Sequence, residues 1–90
     1  MSVTVVIPPL LLHLVNDNRI IEVNGSTVGD CLHDLIKRFP GTKKLLLDEK
    51  GKLRDYLDVF INGESSYPEE LSRAVHRGDR LHIVNILAGG

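Results

Sequence analysis

Cysteine is scarce in this sequence: Cys31 is the only one among 90 residues. A lone thiol excludes an internal disulfide and any multi-cysteine zinc or iron–sulfur site. Neither sign of charge dominates. Eleven lysines and arginines stand against 12 aspartates and glutamates, a formal net charge of −1, so there is no general electrostatic reason to bind nucleic acid or an anionic membrane. No apolar run approaches the roughly 18 residues of a membrane span. Residues 3–7 are too few, and too poor in upstream basic residues, for a signal peptide. These absences lead to the expectation of a cytoplasmic protein with a single small domain, burying roughly 60–65% of its unfolded surface.

Chemistry-bearing constellations are missing as well. His13, His33, His76 and His82 show no metal-ligand spacing, and Cys31 has no second thiol beside it. Gly25, Gly29, Gly41 and Gly51 do not compose a phosphate-binding loop. The carboxylates are scattered over caps and turns. Lys37, Arg38, Lys43, Lys44, Lys50 and Lys52 form a mild basic cluster that reads as a solvated face able to steer an acidic partner. No metal, no bound cofactor and no catalytic group is expected in the body of the chain.

What is present is patterning. Val3, Val5 and Ile7 alternate with Thr4 and Val6, the period of a strand with one buried face. Pro8-Pro9 closes its ladder, residues 10–15 make an apolar connection, and Asn16-Asp17-Asn18 marks a turn. Residues 19–23 resume as a second strand, completing a hairpin. Thr27 stands as N-cap of the clearest helix, with Asp30 three residues on. Val28, Cys31, Leu32, Leu35, Ile36 and Phe39 then recur at helical spacing until Pro40-Gly41. Residues 42–54 read as basic and irregular. Leu57, Val59 and Ile61 alternate up to the tight-turn signal Asn62-Gly63, and residues 68–71 could open one or two helical turns. After the turn His76-Arg77-Gly78-Asp79 comes a last strand through Leu81, Ile83 and Ile86. The expectation is an α+β domain: a sheet with one main helix packed on one face.

The strongest functional signal is the ending, Leu87-Ala88-Gly89-Gly90. With no Cβ on the last two residues, the Gly90 α-carboxylate sits on a thread able to enter a narrow channel. Four extended residues span about 13–14 Å, enough to deliver the carboxylate into another protein while the body stays outside. Residues 1–86 are therefore read as the domain and residues 87–90 as a flexible tail.

The same order of parts resembles the ubiquitin-like, β-grasp sulfur carriers, among them the molybdopterin synthase small subunit and the thiamine-pathway sulfur carrier. The resemblance spans the whole chain and is most specific at Gly78-Asp79 and at Ala88-Gly89-Gly90. Val3-Thr4-Val5-Val6-Ile7-Pro8, Gly51-Lys52-Leu53-Arg54 and Ile61-Asn62 look most like the subgroup that feeds cysteine-type amino-acid synthesis. Asn85-Ile86-Leu87 stands where molybdopterin synthase small subunits often carry prolines, which ranks that pathway second.

The resemblance implies a β-grasp fold with a mixed sheet, and a carrier that is not itself an enzyme. A ubiquitin-activating-like adenylyltransferase would spend ATP to adenylate Gly90. Sulfur from a persulfide would displace AMP and leave a Gly90 thiocarboxylate, anionic at neutral pH and nucleophilic without a neighbouring base. The acceptor would be a cysteine-synthase-like enzyme or the molybdopterin synthase large subunit. Leu87, Ala88 and Gly89 would thread the tail. A second reading is a protein modifier whose Gly90 forms isopeptide bonds with lysines; a third is a plain interaction domain using its sheet. Strand alternation sends Val6, Phe60, His82 and Val84 to the sheet face away from the helix, where an apolar patch would dock the partners.

Overall fold

The computed structural model describes residues 2–87. The chain opens with β1 (Ser2–Val6), a 3-10 helix over Pro9–Leu14 and β2 (Ile20–Asn24). Helix α1 (Val28–Arg38), a 3-10 turn (Pro40–Thr42) and the short helix α2 (Lys43–Leu46) follow, then β3 (Leu57–Ile61) and β4 (Glu64–Ser65). A last 3-10 turn (Glu70–Ser72) precedes β5 (Arg80–Asn85). The strands form one mixed sheet in the order β2-β1-β5-β3-β4, with β1 and β5 parallel and all other neighbours antiparallel.

The expected alternation holds in the strands. Val3, Val5, Leu57, Val59, Ile61, Leu81 and Ile83 are all buried at 8% exposure or less, on the face that α1 covers with Val28, Cys31, Leu32 and Leu35. Burying a large aliphatic side chain is worth about 1.5–3 kcal/mol, so this inner layer supplies most of the drive to fold. The start of α1 is fixed by its own residues. The Asp30 N–H donates to Thr27 Oγ1 at 3.0 Å, and Asp30 Oδ2 accepts from the N–H and hydroxyl of Ser26. That is a reciprocal cap, and the Ser26 bonds hold the Asp30 carboxyl below the usual range. Gly25 is required by closeness: a Cβ there would lie 2.7 Å from Asp30 Cβ and 2.9 Å from Cys31 Sγ.

Four expectations need correction. Residues 10–15 are not a bare connection: Pro9, at a first-turn position, starts a 3-10 helix that buries Leu11, and Val15 beyond it is buried too. Residues 42–54 are not wholly irregular, because α2 places Leu46 in the core and the Asp48 carboxylate closes the following turn on the N–H groups of Lys50 and Lys52. The turn at residues 68–71 is shifted to Glu70–Ser72. The last strand stops at Asn85 rather than running through Ile86, which lies beyond it at 47% exposure.

Candidate functional site

Strand β5 carries the chain toward its end, and its placement is set at both extremities. It lies in the middle of the sheet, with β1 on one side and β3 on the other. At its start, Gly78 adopts φ +87 in the turn before the strand, a conformation glycine takes without steric cost. Its N–H donates to the Ser2 carbonyl, while the Thr4 N–H donates to the Asp79 carbonyl at 3.0 Å. The Asp79 carboxylate accepts from the His76 N–H at 2.8 Å and from Asn62 Nδ2 at 3.0 Å, and Asn62 Oδ1 accepts from the Arg80 N–H. Those bonds, the His76 one foremost, hold the Asp79 carboxyl below the ordinary carboxylate range. The Gly78-Asp79 pair thus ties β5 to β1 and to the β3–β4 turn at once. Sequence reasoning singled out the pair; the structure supplies its physical purpose.

At the other end, the Ile86 N–H donates to the Tyr56 carbonyl at 2.9 Å, and the Tyr56 hydroxyl donates to the Leu45 carbonyl at 2.8 Å. Tyr56 therefore pins the exit of β5 onto the segment that carries α2. Leu87 is 71% exposed just beyond it. Ala88, Gly89 and Gly90, expected to thread and to carry the reacting carboxylate, lie outside the described residues.

The four residues expected on the outer face are there, arranged differently than expected. Val6 pairs with His82 across β1 and β5, and His82 pairs with Phe60 across β5 and β3. The row Ile20–Val6–His82–Phe60–Ser65 thus crosses the whole sheet, with an exposed histidine between Val6 and a half-buried Phe60. Val84 sits one row on, opposite Asp58. Val6, His82 and Val84 line a groove of about 620 Å³ with Pro8, Pro9, Leu10 and Asn85; Phe60 is not among its walls. A second hollow of about 430 Å³, lined by Leu10, Leu45, Tyr56, Asn85 and Leu87, adjoins the exit of β5. Leu10 and Asn85 belong to both, so an apolar track leads from the outer face to the start of the tail. Sequence reasoning missed Pro8, Pro9, Leu10, Leu45 and Tyr56 as parts of this surface. The signal was the apolar run after Pro8-Pro9, longer than a plain connection needs.

Elsewhere the chemistry is quiet. Among the described residues no group of three or more His, Cys, Asp or Glu could hold a metal ion. Cys31 is fully buried on the inner face of α1, where burial first, with the neighbouring Asp30 and Asp34 charges second, pushes its thiol up to about 11. That thiol is not a nucleophile at neutral pH. No helix among the described residues is long and apolar enough to cross a membrane.

Residues 11–90 match the model of the ThiS family. The chain is 32% identical over 71 residues, 78% of either sequence, to small archaeal modifier protein 1 of Haloferax volcanii. Its structure superposes on the chain of the Amycolatopsis orientalis BexX/CysO complex with a TM-score of 0.88 at 34% identity, covering 98% of this chain and 99% of that one. For Mycobacterium tuberculosis CysO the TM-score is 0.84 at 28% identity, covering 92% and 97%. The resemblance read from the Gly78-Asp79 turn, the strand pattern and the Ala-Gly-Gly ending is therefore correct: the chain belongs to the ThiS family of ubiquitin-like, β-grasp sulfur carriers, small proteins that carry rather than catalyse.

Proposed function

We propose that this protein carries sulfur as a thiocarboxylate on Gly90 and delivers it to the synthesis of a cysteine-type amino acid. The observation that carries the proposal is the construction around β5. The strand that leads to the tail is central and tied at both ends by Asp79 and Tyr56, so the body presents residues 87–90 from a fixed point. Glycine at positions 89 and 90 leaves the acyl carbon unhindered for adenylation and for attack by a persulfide sulfur. Likeness to two CysO structures favours the cysteine-type pathway over the molybdopterin and thiamine ones.

In this reading the partners do the catalysis in the cytoplasm. An adenylyltransferase of the ubiquitin-activating type uses ATP on Gly90, and a persulfide sulfur displaces AMP to give an acyl disulfide. A thiol reductant cleaves that disulfide to the thiocarboxylate, and a cysteine-synthase-like enzyme takes the sulfur. A solved relative named with a companion protein, the BexX/CysO complex, supports the expectation that such a carrier docks on others. The docking surface is the outer face: Val6, His82 and Val84 in the groove, with Phe60 beside them as an aromatic anchor. Half-buried apolar side chains on the open face of a one-layer sheet, such as Val6, Phe60 and Val84, have no packing use inside it.

The test is intact-mass spectrometry after incubation with the activating enzyme, ATP, a persulfide donor and a thiol reductant. Loading adds about 16 Da, sulfur in place of oxygen, and deletion of Gly90 abolishes it while leaving the melting temperature within about a degree. A second reading, attachment of Gly90 to lysines of other proteins, is favoured by the 32% identity to a small archaeal modifier protein. The same experiment separates the two, because conjugates appear as high-mass species. Loading that survives loss of Gly90 refutes both.

A further inference from the structure

An open sheet has two edges, and here each carries an arginine on an outward-pointing carbonyl. Register shows which groups point outward. In the β1–β2 pair, the Ile7 N–H bonds the Arg19 carbonyl, so the odd-numbered residues of β2 face β1. The N–H and C=O groups of Ile20, Glu22 and Asn24 are then directed away from the sheet. Two of them are taken by helix α1: the Arg38 guanidinium donates to the Glu22 carbonyl, and Asp34 Oδ2 accepts from the Asn24 N–H at 2.9 Å. Arg38 and Asp34 are themselves linked at 3.5 Å, one helical turn apart. A donor on the carbonyl of residue 22 and an acceptor on the N–H of residue 24 is the pattern one residue of an added parallel strand would present. On the other edge, β4 is two residues long and Arg73 donates to the Ser65 carbonyl at 3.4 Å.

We infer that Asp34 and Arg38 are an edge guard: they occupy the hydrogen-bonding positions through which β2 would pair with β2 of a second copy, and so keep the chain monomeric. The edge has reason to be guarded. It is five residues long, and Ile20 lies 55% exposed at its start; unprotected edges of this kind template pairing with other chains. The chemistry also specifies the competitor. A two-fold antiparallel pair centred on Glu22 would set two carboxylates opposite each other, which is unfavourable. The registers centred on Ile21 and on Val23 avoid that clash. Both need the Glu22 carbonyl that Arg38 holds, and the second also needs the Asn24 N–H that Asp34 holds.

The experiment is sedimentation of the full chain and of the Asp34→Ala/Arg38→Met double variant up to millimolar concentration. The guarded chain sediments at its 10.0 kDa monomer mass, and the double variant at twice that. Adding Glu22→Pro to the double variant returns it to monomer, because that N–H points outward and its loss leaves the β1–β2 ladder intact while blocking an incoming strand. Should the double variant not fold, Arg38→Met alone carries the test, since the shared carbonyl is freed. A folded variant that stays monomeric, an association indifferent to Glu22→Pro, or a wild-type dimer formed through β2 overturns the inference.

Discussion

Neighbouring residues of the same strands meet two different environments. On β5, Leu81 and Ile83 are buried under α1, while His82 and Val84, between and beyond them, face outward onto the groove. On β3, Leu57, Val59 and Ile61 are buried and Phe60 is half-covered. Position 2n and position 2n+1 differ by one residue in sequence and by a whole layer in space. The inner set decides whether the chain folds. The outer set is free of that duty, and under the proposed function its apolar members dock a partner. The comparison makes a separable claim: inner substitutions should cost stability and outer ones should cost binding.

The hardest way to break the comparison is Leu81→Ala. Leu81 is fully buried at the centre of the sheet, next to both β1 and β3. Truncating it should cost about 3 kcal/mol, transfer plus cavity, read as a shift of the urea midpoint. Where the variant is still folded, affinity for the activating enzyme should be unchanged. A loss of stability below about 1 kcal/mol would mean the core closes over the gap and the inner layer is less exacting than the packing indicates.

Phe60→Ala is the mirror experiment and the next in size. Its effect should fall on binding, about 2 kcal/mol or some thirtyfold weaker association with the activating or the acceptor enzyme, with a stability change under about 1.5 kcal/mol. Titration of both enzymes with wild-type affinity, or a variant that simply unfolds, would place Phe60 with the inner set. Because Phe60 lies beside His82 and outside the groove wall, Val84→Ala sharpens the result: weakening by Val84 but not Phe60 would locate the contact in the groove.

The two-layer split was legible in sequence because strand alternation is a purely local signal. Val3, Val5, Val59 and Leu81 could be assigned inward, and Val6 and His82 outward, from parity alone. Helix α1 was equally legible, since Thr27, Asp30 and the stripe Val28–Leu35 all point the same way. What parity could not give was which strands are neighbours. That His82 would stand between Val6 and Phe60 follows from β5 inserting between β1 and β3, a long-range pairing with no local trace. The 3-10 helix that starts at Pro9 was missed for a related reason: Leu11 and Val15 pack on a core assembled from later parts of the chain, and their own spacing is too short to declare a period. The edge guard was invisible too: Arg38 reads from sequence as part of a solvated basic face, and Asp34 as one more scattered carboxylate.

Cys31 offers the smallest and most exacting check, since it is the chain's one thiol and it sits on the inner side of the divide. If that side serves only folding, Cys31→Ala should cost about 1 kcal/mol, less than larger core truncations, and sulfur loading of the folded variant should proceed at the wild-type rate. The pH dependence adds a sign. Burial raises the thiol to about 11 in the folded chain, against about 8.5 when unfolded. Both states hold the proton below the lower value, so the contribution to stability is complete there. Between the two values only the unfolded chain releases it, and stability is lost progressively as pH rises. Wild type should therefore become less stable above about pH 8.5, and Cys31→Ala should lack this component. Native-state alkylation at neutral pH should be slow for the same reason. A folded Cys31→Ala protein that no longer transfers sulfur would put a reacting group in the inner layer and end the division of labour between the two faces.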